Sequence, residues 1–315
     1  MEKILNFFAN YGKFIMASGI VLAVISFFDK KLSASLILIF FLASAAFFFI
    51  NRIKDEKQKK IISILFLIVF LLHIAVVLFF FYGRFQPFSG GSGDYIQYDD
   101  TANQTAERLS RGDFSVKGLA LAHYFPLLAG YLYYLLVPKM IVGQIFNAWL
   151  VALSTIFIYL TVKEFGRSNK EAFLTGLIVA IYPSPVFFGS LMLKEAFVVF
   201  FSTLAILLAL KLLGRFSWRI FALFYFSLIG LTHFRFFISI PLIFIFVILW
   251  LLLSKFKLKD RVVYALIMIF LFGFLPVIST VGGANIGYFG INEIKRQVNF
   301  KSIICHILAA FTIQQ

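Results

Sequence analysis

Residues 61–81 read IISILFLIVFLLHIAVVLFFF, an apolar run interrupted only by Ser63 and His73. A helix rises about 1.5 Å per residue, so roughly 20 mostly apolar residues cross a hydrocarbon core about 30 Å thick. The stretch therefore reads as a membrane-crossing helix. Lys57, Lys59 and Lys60 precede it, and a polar segment follows. Working outward, the same signal recurs at Ile141–Val162, Ala172–Pro183, Ala196–Leu213, Phe221–Leu231, Phe237–Leu253 and Val262–Ile278. Ala172–Pro183 and Phe221–Leu231 are short and must borrow flanking residues. Phe14–Phe28 and Leu32–Ile50 suit an N-terminal helical hairpin within residues 1–60. The expected fold class is all-α, a multi-pass transmembrane bundle of about nine spans.

Composition agrees. Apolar residues make up 62% of the chain and charged residues 14%, with 44 Phe, and mean hydropathy is +0.96. A soluble fold would leave much of that surface in water, so lipid is the better solvent. The net charge of +15 does not point to nucleic acid, because the basic residues sit in short clusters between apolar runs. Arg52–Lys60, Lys163–Lys170, Lys211–Arg219 and Lys255–Arg261 hold more than half of the 29 Lys and Arg residues. They alternate along the chain as the loops on one side of a serpentine should, and the positive-inside bias makes that side cytoplasmic. The opposite loops, Arg84–His123, Tyr182–Lys194, Thr232–Phe236 and Ser279–Lys301, are then external. This predicts a multi-pass protein of the cell (inner) membrane with a cytoplasmic N-terminus. A single cysteine, Cys305, excludes an internal disulfide. Phe14–Phe28 lacks a small-residue cleavage site and leads into a second apolar run, so it does not read as a signal peptide. Ile303–Thr312 is apolar but too short to cross, which fits either an interfacial end or a chain that continues.

The external loop contains FSGGSGDYIQYDDTANQTAERLSRGDFSVKG at residues 88–118, with Asp94, Asp99, Asp100, Glu107 and Asp113. After Gly93 a short amphipathic surface helix is expected. Tyr98, Ala102, Thr105 and Leu109 fall on one face, and Gly112 ends it. Asp94 suits either a catalytic carboxylate or an N-cap completed by Gln97 three residues on. Asp99 and Asp100 suit a solvated face. In HYFPLLAGYLYYLLVP, residues 123–138, the tyrosines fit an interfacial aromatic belt and His123 an interfacial side chain. In YPSPVFFGSLMLKEAFVVF, residues 182–200, two prolines break the incoming helix. Lys194 and Glu195 then lie beside apolar runs, where charge is costly and usually has a partner or a function. The bland alternative is a helix-starting Glu195 and a snorkelling Lys194. Thr232-His233-Phe234-Arg235 places a guanidinium between two apolar runs. There it suits a phosphate or, equally, an interfacial anchor. His73, near a span centre, fits a hydrogen bond to a neighbouring helix better than a proton relay.

Taken in order, GDYIQYDDTA, Gly112-Asp113-Phe114, HYFPLLAGYLYYL, YPSPVFFGSLMLKEAFVVFF and HFRFFISIPLI resemble the polytopic glycosyltransferases of the GT-C fold. The likeness is to bacterial members related to protein O-mannosyltransferases and the lipid A aminoarabinose transferase. It covers residues 61–253, with 84–123 as the external catalytic loop and 254–315 as a C-terminal span and tail.

The resemblance implies transfer of a sugar from a polyprenyl-phosphate donor to a glycan, lipid or protein acceptor at the outer membrane face. It implies an essential carboxylate in the first external loop, for which Asp94 is the best match, with Asp99 and Asp100 close behind, and a second acidic position at Glu195. It also implies that Lys194 and Arg235, with His123 and His233, hold the lipid phosphate. Relatives usually carry Arg near His123, and they lack the two preceding spans. The carboxylates are compatible with a divalent cation such as Mg or Mn, but the sequence demands none. Alternatives are a lipid-linked glycan polymerase or ligase, which would lean on external Arg and His, a transporter, or a non-catalytic envelope component. Paired charges within spans and two similar halves, expected of transporters, are absent from the sequence.

Overall fold

The computed structural model describes residues 29–84, 93–115, 119 and 123–275. The described residues form helices joined by short turns, with no strand among them. In chain order these are α1 (Lys30–Ile50), α2 (Glu56–Tyr82), α3 (Asp94–Ser110), α4 (Phe125–Leu135), α5 (Met140–Glu164), α6 (Asn169–Ile181), α7 (Pro183–Gly189), α8 (Glu195–Gly214), α9 (Trp218–Leu253) and α10 (Leu258–Gly273). Local chemistry sets several starts. Asp29 Oδ1 accepts from Lys31 N and Leu32 N at 2.8 and 3.3 Å, and Asp55 caps α2 in the same way. Ser168 and Glu171 form a reciprocal capping box at α6, satisfying backbone donors that a helix start leaves open.

Five of these helices are long and apolar enough to cross a membrane: residues 31–50, α2, α5, α8 and α9. The pair α6–α7, bent by 60°, adds a sixth if it is one broken span. This is a membrane protein. Its Phe40, Phe41, Phe49, Phe79, Phe237 and Phe244 side chains are all more than half exposed, which water would penalise and hydrocarbon does not. Of the expected spans, Phe14–Phe28 lies outside the described residues. Val262–Ile278 is found as the 16-residue α10, and its last residues also lie outside. Ala172–Pro183 ends in the bend.

The expected turn at Thr232–Phe236 is tighter than anticipated. Helical geometry runs through α9 except at Arg235, whose φ −153° and ψ 79° break it. The chain reverses there. Phe224 and Phe246 rings are 4.6 Å apart, whereas 22 residues of straight helix would separate them by about 33 Å. Thr232 Oγ1 donates to Ser239 Oγ at 3.0 Å across the reversal.

α5 runs through the middle, packed against α1, α2, α6 and α8. Its inward face carries Gly143, Ala148, Ala152, Ser154 and Thr155, all buried, and small residues let membrane helices approach closely. A second cluster joins α8, both halves of α9, and α10. The basic turns gather at one end, where Lys211 pairs with Glu164 at 3.7 Å and Phe216 meets Phe256. The chain reversals near Tyr82, Asp94, Lys194 and Arg235 gather at the other, where Tyr82 donates to Asp29 at 3.0 Å.

The expected surface helix is α3. It buries Tyr95, Tyr98, Ala102, Thr105, Ala106 and Leu109 against α4. A Cβ at Gly130 would lie 2.4 Å from Thr105 Cβ, so this contact needs glycine. The helix terminates at Gly112, which adopts φ +75°, a conformation costly for other residues.

Candidate functional site

Four segments meet at the end of the bundle opposite the basic turns: the start of α3, residues 123–124, the loop entering α8, and the break in α9. Gly93, not Asp94, is the N-cap of α3, and a glycine offers no side-chain cap. Asp94 occupies the first helical position, where the helix dipole favours negative charge. Its exposed carboxylate accepts from Tyr98 Oη at 3.3 Å.

Lys194 and Glu195 owe their position to a segment folded into the bundle. Tyr182 is extended and Pro183 opens α7, so the chain turns inward. Leu191 and Met192 are then almost wholly buried. Three side chains grip this segment. Asn147 Nδ2 donates to Leu191 O and Leu193 O, both at 2.7 Å. His73 Nδ1 lies 3.3 Å from Ser190 Oγ, the neighbour bond expected of it. Tyr133 Oη contacts Met192 Sδ at 3.1 Å. Lys194 ends the segment and Glu195 begins α8. Lys194 is 8% exposed, so it is buried and does not snorkel to water. Burial, and then the neighbouring Arg235, lower its ammonium pKa, while Glu195 and Asp94 oppose that shift.

Arg235, freed from helical geometry, reaches back to α8. Its Nη2 donates to Glu195 Oε1 at 2.6 Å. The pair is part-exposed, at 46% and 28%, yet Glu195 Oε2 is buried with no hydrogen-bond partner. His123 is 2% exposed, an interior residue where the sequence suggested an interfacial one. It meets Tyr98 edge-on at 4.6 Å, and neither ring nitrogen has a hydrogen-bond partner. Burial, reinforced by Lys194, His233 and Arg235, lowers its pKa to about 3, so the ring is neutral. His233 Nε2 accepts from Tyr124 N at 3.0 Å and stacks on the Tyr124 ring at 4.6 Å, which ties the α9 break to the start of α4.

Two clefts share this site. One, of about 310 Å³, is lined by Gly93, Asp94, Phe188, Leu193 and Glu195. The other, of about 330 Å³, is a mainly apolar trench between α5, α7, α8 and α9, with Phe188, Val198, Val199 and Ile238 in its walls. Glu195 and Arg235 also line it. Phe188 and Glu195 border both spaces, so the clefts adjoin.

The structure thus brings together Asp94, Glu195, Lys194, Arg235, His123 and His233. Asp99 and Asp100 line neither cleft. Asp99 accepts from Tyr133 Oη at 2.6 Å beneath the surface helix, and burial raises its pKa. Asp100 is exposed. Asn147 and Ser190 escaped the sequence reading, and Tyr133, expected in an interfacial belt, is buried instead between Asp99 and Met192. Asn147 and Gln144 are polar residues inside the apolar run 141–162, a signal that would have marked them. Among the described residues no group of three His, Cys, Asp or Glu side chains forms a metal-binding cluster. No family model, curated protein or solved structure matches the chain.

Proposed function

We propose that this chain is a membrane glycosyltransferase of the GT-C kind, passing a sugar from a polyprenyl-phosphate donor to an acceptor hydroxyl. The carrying observation is the pairing of an exposed carboxylate, Asp94, with an apolar trench headed by Arg235, across a shared border at Glu195. A lipid-linked sugar phosphate needs those three surroundings at once. Its tail seeks an apolar wall, its phosphate a cation, and its sugar a polar space open to a second substrate. Lys194 supplies a second cation, which lines neither cleft but lies within electrostatic reach of Arg235, Glu195 and Asp94. The alternation of basic turns makes the site's side external, and counting Phe14–Phe28 and the full Val262–Ile278 gives about nine spans.

The chemistry asks little more of the protein. The acceptor oxygen attacks the anomeric carbon through an oxocarbenium-like transition state. The bond to the phosphate oxygen breaks, and its electron pair leaves on the lipid phosphate. Arg235 and Lys194 stabilise the charge that develops there. Asp94 accepts the acceptor's proton as attack proceeds. One displacement inverts the anomeric centre. Glu195 carries the second acidic position, at the border of both clefts. No step requires a metal, and the carboxylates remain compatible with Mg or Mn.

A second reading, a lipid-linked glycan polymerase or ligase, draws support from the gathering of His233, Arg235 and Lys194 around His123. The two diverge in donor. Purified full-length protein, given polyisoprenyl-phosphate sugars and polyisoprenyl-pyrophosphate oligosaccharides separately, is expected to consume only the former. Consumption of the pyrophosphate donors alone would favour the ligase.

A further inference from the structure

The trench and the carboxylate cleft adjoin at one ion pair. Arg235 Nη2 and Glu195 Oε1 are 2.6 Å apart, and the pair stands between the trench, which both residues line, and the cleft that Glu195 shares with Asp94. The contact is incomplete on the carboxylate side. Glu195 Oε1 meets the guanidinium, but Oε2 is buried without a partner. A guanidinium can engage an oxyanion through two parallel N–H groups, and this geometry uses one carboxylate oxygen only. Arg235 is also the single residue of this folded-back helix with non-helical φ and ψ. Part-exposed pairs of this kind hold weakly. Lys194 lies close enough for Arg235 to depress its pKa, so the surroundings favour an incoming anion.

We infer that the Glu195–Arg235 ion pair is a displaceable latch: a lipid headgroup phosphate entering from the trench replaces the Glu195 carboxylate on Arg235. The freed carboxylate then belongs to the Asp94 cleft, which Glu195 already lines. Donor binding thereby completes the acceptor side, and binding is ordered, donor first. This inference rests on the proposed anionic lipid donor for its biological meaning, but the exchange itself is a property of the ion pair.

The test measures affinity of the full-length protein, in detergent, for two probes: a polyisoprenyl phosphate and dioleoyl phosphatidic acid. Glu195→Gln removes the competing carboxylate and is expected to tighten binding by about tenfold, the size of a modest competing contact. Glu195→Asp, which keeps the charge but shortens its reach, is expected to fall between wild type and Glu195→Gln, and serves if the Gln variant does not fold. Asp94→Asn removes an equal charge nearby without touching Arg235. A gain there equal to that of Glu195→Gln would be a field effect and overturn the latch. So would unchanged or weakened binding of both probes by both Glu195 variants. If phosphatidic acid alone binds, and binds tighter to Glu195→Gln than to Asp94→Asn, the latch stands and the polyprenyl donor falls.

Discussion

Asn147 is the most exacting test of how the site is held. It is wholly buried in α5, and its amide donates to Leu191 O and Leu193 O at 2.7 Å each. Consider Asn147→Leu, which keeps the branched outline of the side chain and removes both donors. Leu191 O retains Leu193 N at 2.9 Å, so that half of the clamp costs only the net worth of one hydrogen bond, about 1 kcal/mol. Leu193 O keeps no other donor among the described residues, and an orphaned buried carbonyl costs about 2 kcal/mol. Against this, Asn147 Oδ1 is itself buried and unpartnered, and deleting it recovers roughly 1 kcal/mol. The balance is a loss of about 2 kcal/mol. The same change loosens the turn immediately before Lys194, so affinity for a lipid phosphate should fall alongside stability. Denaturant titration in detergent measures the first and probe binding the second. Asn147→Leu with stability within about 0.5 kcal/mol of wild type, and undiminished lipid-phosphate affinity, would refute the claim that this clamp sets the position of Lys194.

His123 gives a pH signature. Its pKa falls from 6.5 unfolded to about 3 folded, so between those values the unfolded chain binds more protons and stability must decrease as pH falls. At pH 5 the loss from this one ring is about 2 kcal/mol relative to pH 7.5. His123→Gln should flatten that acid-side slope in a pH series of denaturant titrations, and an unchanged slope would contradict the buried neutral ring. The sidedness is checked by cysteine labelling in a Cys305→Ser background. Asp100→Cys should react with a membrane-impermeant maleimide in intact cells and Lys170→Cys only after lysis, while the reverse pattern would invert the topology.

Much of this was legible in the sequence, for definite reasons. Runs such as 61–81 and 141–162 have no stable home but hydrocarbon, so α2 and α5 follow from composition and length alone. α3 was readable because its apolar face recurs at helical spacing and Gly112 supplies the left-handed turn that ends it. Three things were not legible. The turn at Thr232–Phe236 was legible, but not its tightness: both flanks are strong helix sequence, and only the packing of Phe224 on Phe246 confines the break to Arg235. The capping role weighed for Asp94 failed by one residue, since Gly93 takes the cap, a margin local pattern does not resolve. The separation of Asp99 from Asp94 depends on helix rotation. Five positions apart, the two point to different faces, and Tyr133 claims Asp99 from the far side.

Asp94 remains the residue on which the functional account turns. The direct measurement is the rate of sugar transfer from a polyisoprenyl-phosphate sugar by purified wild type and Asp94→Asn, with donor affinity measured in parallel. The account predicts a loss of about 10²–10⁴-fold in rate, the usual contribution of a positioned base, with donor affinity changed little. Transfer by Asp94→Asn within about twofold of wild type would contradict it, because a rate-determining base cannot be lost at so small a cost.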